Sequence, residues 1–180
     1  MTQYESSLLD EILPDFDVAA KYTIRIEAEP DRIFKILQEG IPTGTLTRFL
    51  MILRGLPRIV RREDCEAYSF YKLKQSQQKE IVIGIIGQFW KPAANTVEIN
   101  SLEEFLAFNK DGYSKAALNL RITPQLNGTC LLSTETRVVS YGPARNKFRS
   151  YWTLIKPFSG MIRKEVLRKI KRKSEKVVVR

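Results

Sequence analysis

Along KYTIRIEA, Lys21 to Ala28, apolar and polar residues alternate strictly, with Tyr22, Ile24 and Ile26 on one face and Lys21, Thr23, Arg25 and Glu27 on the other. A period of two is that of a half-buried strand. The period changes at once in EPDRIFKILQEG, where Ile33, Phe34, Ile36 and Leu37 make the stripe of an amphipathic helix. Pro30 suits the first turn, Asp31 complements the positive end of the dipole, and Gly40 stops the helix. TLTRFLMILRGLP predicts a second short helix through Phe49, Leu50, Ile52 and Leu53, ended by Gly55 and Pro57. Ahead of the strand, Ser7 to Leu13 predicts a short helix stopped by Pro14, within an N-terminal extension over residues 1–14.

Beyond the basic loop RIVRRED the pattern becomes extended. AYSFYKLKQ and KEIVIGIIGQFW predict strands joined through SQQ, and Gly84 and Gly87 mark bulges, bends or close approaches to the backbone. TVEIN is a further short strand, while SLEEFLAFN leaves a helical turn and a strand both open. SKAALNLRIT and TCLLSTETRVVS flank PQLNG, whose Asn127-Gly128 predicts a two-residue hairpin turn. That turn would pair Ile122 with Ser133, Leu120 with Glu135, Leu118 with Arg137 and Ala116 with Val139.

The chain then predicts one long helix, residues 145–173, about 43 Å at 1.5 Å per residue. Phe148, Tyr151, Trp152, Ile155, Phe158, Ile162, Val166 and Ile170 share an arc of about 120°, with Pro157 nearly opposite. A proline there bends a helix toward its apolar face, as wrapping a curved sheet requires. The stripe serves either as plain core or as the wall of a ligand cavity.

Composition narrows the chemistry. At 180 residues, with 43% hydrophobic and 28% charged residues, the sequence fits one globular domain, 1–180, able to bury a sizeable core. It holds no histidine, which excludes Ser-His-Asp and Cys-His nucleophile systems and any His-ligated zinc or haem. Cys65 and Cys130 are far apart without CxxC spacing, so reduced packing thiols are expected, with no metal and no cofactor. No apolar run reaches 18 residues and the N-terminus is acidic, so a cytoplasmic, soluble chain is expected.

The order of strand, two short helices, antiparallel strands and long C-terminal helix resembles the START-like helix-grip superfamily, SRPBCC, which includes polyketide cyclases and lipid-transfer domains. KYTIRIEAEPDRIFKIL is similar to the opening strand and helix of these domains. EIVIGIIGQFW, FLAFNKDGYSKAALNLRI, LLSTETRV and FRSYWTLIKPFSGMIRKEVLRKIKRKSE resemble an uncharacterised bacterial branch of them. The resemblance spans roughly Asp15 to Glu175. It implies an α+β helix-grip fold, a curved antiparallel β-sheet wrapped around the long helix with an elongated apolar cavity between them. Members bind lipids, sterols, polyketides or other apolar molecules, and a minority are enzymes.

The hairpin register places Glu135 and Arg137 on the face of Leu118 and Leu120, toward the long helix. Two residues apart on one strand, they are near enough to pair, as buried charges must. They are read either as an ion pair that organises the cavity wall, or turns to solvent if the register slips by one at Pro124, or as a polar anchor for a ligand. Trp90, Tyr113, Tyr151 and Ile155 would complete the pocket with apolar faces and a few polar edges. The expected function is capture of a hydrophobic or amphipathic small molecule, as carrier or sensor. The alternatives are a cyclase or dehydratase with Glu135 as general acid or base and Arg137 steadying an enolate, or a membrane-surface interaction module.

The formal charge of +10 is concentrated between Arg145 and Lys173, where eleven basic residues face the single acid Glu165. Such a face is most simply solvated. Arg163, Lys164, Arg168, Lys171 and Arg172 are the residues it would offer to an anionic membrane. Nucleic acid is not the expected partner, because the aromatic residues lie opposite the charges rather than among them.

Overall fold

The alternation around Tyr22 becomes strand β1 (Val18–Ile26), half-buried as its period requires. The computed structural model describes residues 6–40, 70–76, 79–91 and 94–176. The helix expected in TLTRFLMILRGLP, the RIVRRED loop and Cys65 lie outside the described residues. Before β1 comes α1 (Leu8–Ile12), and after it α2 (Pro30–Gln38), which buries Ile33, Phe34, Ile36 and Leu37 as predicted.

Strands β2 (Tyr71–Ser76) and β3 (Glu80–Gly87) follow, then α3 (Leu102–Ala107), β4 (Ser114–Pro124), β5 (Cys130–Ser140) and α4 (Ala144–Glu175). TVEIN contributes a single bridge, Val97 to Ile86, and SLEEFLAFN resolves to the helix, with Ser101 capping it by accepting from the Glu104 amide. The strands form one antiparallel sheet in the order β1-β5-β4-β3-β2, giving an α+β architecture with a long C-terminal helix. The bulge sits in β2 between Lys72 and Lys74, not at the glycines. Gly84 is instead a close approach, where a Cβ would stand 2.5 Å from Leu73 and 2.8 Å from Phe105.

Both faces of the sheet are covered, which is why EIVIGIIG in β3 is an almost unbroken apolar run. On one face α2 and α4 bury Ile26, Ile33, Leu37, Leu120, Leu132 and Leu167. On the other, α1 and α3 bury Leu9, Ile12, Leu73, Val82, Phe105 and Ala117. The segment expected as an extension is therefore part of the second core layer, with Leu9 fully buried. An amphipathic five-residue helix cannot hold itself, but three buried side chains, Leu9, Ile12 and Leu13, anchor it to the sheet.

The hairpin departs from its predicted register. The Gln125 amide donates to the Thr129 carbonyl (2.8 Å) and the Gly128 amide to the Gln125 carbonyl (3.2 Å), so the loop is Leu126-Asn127-Gly128, one residue longer than expected. Gly128, at φ +73°, takes the left-handed position that closes such a turn. Leu118 consequently pairs with Thr136, Ala117 with Arg137 and Ile122 with Leu132. A one-residue shift moves every side chain of the strand to the opposite face.

Candidate ligand site

The register shift carries Glu135 and Arg137 away from α4 and onto the face covered by α1. The expected ion pair is there, with Arg137 Nε 2.7 Å from Glu135 Oε1. Arg137 also donates to Asp10 Oδ1 (2.7 Å) and to the carbonyls of Leu9 (3.3 Å) and Leu13 (3.2 Å). A guanidinium in that position neutralises the buried carbonyl end of α1 and clamps the helix to β5. Burial works against the Arg137 charge, but the hydrogen bonds to Glu135 and Asp10 prevail and raise its pKa. The hydrogen bond from Arg137 holds the Asp10 carboxyl below its ordinary value. Ser7, Glu80 and Asn119 extend this network, with Glu80 accepting from Ser7 Oγ (2.6 Å), the Leu8 amide (3.1 Å) and Asn119 Nδ2 (2.7 Å). Glu135 and Arg137 thus organise the α1 interface and do not face the side that carries α2 and α4.

Leu118 and Leu120 do face that side. They line a cleft of about 250 Å³ together with Ile81, Ile83 and Leu37, with Gln38, Gly40, Lys72 and Gln75 around the mouth. The cleft lies beside α4 rather than beneath it, because α4 packs chiefly over β1 and then β5. Among the described residues the β3–β4 half of the face is covered by α2, a smaller contact from α4, and the cleft. Tyr151 and Ile155 are half-buried on α4 and do not line it. Tyr151 belongs instead to an aromatic group in which Phe148 meets Phe89, Tyr151 and Trp152 at centroid distances of 6.1, 6.0 and 6.0 Å. Trp90 is half-buried in the turn after β3, also outside the cleft lining. Tyr113 is on the α3 side, edge-on to Phe108 at 5.8 Å with Lys110 over its ring.

Sequence reasoning passed over Arg163. Grouped by composition with the exposed basic residues, it turns inward, its Nε 3.2 Å from Thr136 Oγ1 and its Nη1 donating to Ser159 Oγ. Burial lowers its pKa, against a smaller opposing influence of Tyr22. Arg163 precedes the buried Leu167 and Ile170 by four and seven residues, one helix face, but Leu167 is not part of the predicted stripe, so the packing and not the spacing reveals it. Lys171 is also drawn in, donating to the Arg25 carbonyl (2.8 Å) and pairing with Glu175 (3.2 Å). Of the five basic residues expected to meet a membrane, Lys164, Arg168 and Arg172 remain exposed.

Lys115 and Cys130 are two further buried functional groups, and each is accounted for by its neighbours. Lys115 Nζ donates to the carbonyls of Phe105 (3.1 Å) and Leu106 (3.0 Å) at the end of α3, and burial lowers its pKa. The Cys130 thiol donates to the Ala28 carbonyl (3.3 Å), and burial pushes its pKa up, the state of an inert packing cysteine. No protein-family model matches the chain, and comparison with curated proteins gives no match.

Proposed function

We propose that the protein is a START-like helix-grip domain that binds a hydrophobic or amphipathic small molecule on the face of its sheet that carries α2 and α4, as carrier or sensor. The observation that carries this reading is the cleft floored by Ile81, Ile83, Leu118 and Leu120. Its volume of about 250 Å³ lies just under the range of about 300–1,000 Å³ common to small-molecule sites, which favours a slender occupant. Each methylene buried there contributes about 0.8 kcal/mol, so a short alkyl chain suffices for useful affinity. The cyclase or dehydratase alternative loses its proposed machinery, since Glu135 and Arg137 serve the α1 interface. The test is titration with a fluorescent alkyl-chain probe. Leu118→Trp, which fills the cleft without burying a charge, should weaken binding at least tenfold while leaving the circular dichroism unchanged. Equal binding by this variant would remove the cleft as the site.

A second observation supports delivery at an anionic bilayer. Leu154, Phe158 and Met161 are 71%, 46% and 45% exposed, an apolar line at helical spacing that Arg168 and Arg172 continue and Lys164 flanks. An amphipathic face of this kind lies in the headgroup layer, and each basic residue there contributes about 1 kcal/mol. Substituting Lys164, Arg168 and Arg172 by Gln should therefore weaken co-sedimentation with phosphatidylserine-containing vesicles by about a hundredfold. Unchanged binding, or binding indifferent to salt, would rule this surface out.

A further inference from the structure

We infer that the cleft's ligand ends in an anionic group, a carboxylate or a phosphate, and that Arg163 binds it. The inference rests on the cleft being a ligand site and adds the class of ligand. Arg163 projects from α4 over Thr136, with Nε 3.2 Å from Thr136 Oγ1. Thr136 is the cross-strand partner of Leu118, whose side chain lines the cleft. Directly paired side chains share a face with their Cβ atoms about 5 Å apart. The guanidinium, outside the cleft lining itself, therefore sits over β5, one strand across from Leu118 at the near side of the apolar floor and two from Ile81 and Ile83, a head-and-tail arrangement for an amphiphile.

The surroundings of Arg163 supply hydroxyls where an arginine in this setting ordinarily has a carboxylate. Thr136 and Ser159 accept from it, and among the described residues no carboxylate forms an ion pair with it. Arg137 is the internal contrast, bracketed by Glu135 and Asp10 at 2.7 Å each. A guanidinium stays protonated even when burial opposes its charge, so Arg163 carries a desolvated cation whose cost neutral acceptors offset only in part. An incoming carboxylate or phosphate would complete it with the fork geometry that arginine favours. Lys72, the cation in the cleft lining, is exposed at the edge strand and already solvated. Pairing an exposed ammonium gains little, so Arg163 decides the preference and Lys72 does not.

The experiment compares decanoate, decyl phosphate and decanol as competitors of the alkyl probe, using the full chain at neutral pH. Wild type should bind at least one of the anions ten or more times tighter than the alcohol, and the tighter anion identifies the source as a fatty acid or a phosphoester. Arg163→Met should bind all three with the affinity of the alcohol, Arg163→Lys should keep part of the preference, and Lys72→Met should keep all of it. A wild type without preference, or Arg163→Met retaining it, with competition still blocked by Leu118→Trp, overturns the inference and leaves the cleft as an apolar site. Failure of all three compounds to compete, together with failure of the probe to bind, overturns the cleft reading and the inference with it.

Discussion

Arg137 satisfies five acceptor contacts' worth of chemistry with one planar group: two carboxylates, two backbone carbonyls and the ring of Phe16, 4.8 Å from the guanidinium carbon. With side-chain exposures of 10% for Arg137 and 14% for Glu135, removing the arginine leaves a nearly buried carboxylate with only the exposed Lys21, 3.7 Å away, as a paired cation among the described residues. Breaking such a pair costs about 3 kcal/mol. Arg137→Met should therefore lower the unfolding free energy read from urea titration by about 3 kcal/mol, yet leave the relative affinities for decanoate and decanol unchanged. A variant that lost the anion preference while staying folded would return Arg137 to the ligand site. Arg163 makes the opposite pair of expectations, with a modest effect on stability and a large one on ligand preference, because neutral hydroxyls are its partners.

At the scale of elements, α4 crosses β1 where Gly160 meets Tyr22. A Cβ at residue 160 would stand 2.5 Å from the Tyr22 hydroxyl and 3.2 Å from the ring carbon that bears it. Alanine in a helix interior is favoured over glycine by about 1 kcal/mol, but here the clash opposes that gain. Gly160→Ala alone should destabilise the protein, and in a Tyr22→Phe background the same change should be neutral or stabilising. A thermal-denaturation double-mutant cycle reads this coupling, and simple additivity would mean that α4 is not seated as described. A second junction is held by Asp17, which accepts from the Ser140 amide (2.7 Å) and pairs with Arg145 (3.0 Å), tying the start of β1 to the end of β5 and the start of α4.

For the whole molecule, pH acts through the layer that α1 completes. The Asp10 carboxyl is held below its ordinary value by the hydrogen bond from Arg137. A depressed carboxyl contributes stability that is present above its unfolded pKa, about 4, and is lost as pH falls through the lower folded value. Because Asp10 is 49% exposed, solvent screening keeps this contribution under about 1 kcal/mol. Urea midpoints should be flat from pH 7 to about 5 with respect to this group and decline below 4, and Asp10→Asn should make that decline shallower. An equally steep decline in the variant would assign acid sensitivity to other carboxyls. The same layer explains why each face of the sheet carries a large core cluster among the described residues: one face is closed by α1 and α3, which frees the other to combine α2, α4 and the cleft.

The periodicities of Lys21 to Ala28, of Pro30 to Leu37 and of the final basic segment were enough to determine a strand, an amphipathic helix and a long C-terminal helix, because each encodes local geometry that repeats every two or 3.6 residues. Leu118 and Leu120 were legible as an inward-facing apolar row for the same reason. Which way Glu135 and Arg137 point was not, because both a two-residue and a three-residue turn suit PQLNG, and the one extra residue reverses the strand's faces. Tertiary structure settled that choice by offering Arg137 the Asp10 carboxylate and the carbonyl end of α1, partners that lie more than a hundred residues away in Asp10, Leu9 and Leu13. It likewise separated Arg163 from the basic residues around it: charge belongs to composition, but burial depends on which side of a helix meets a sheet.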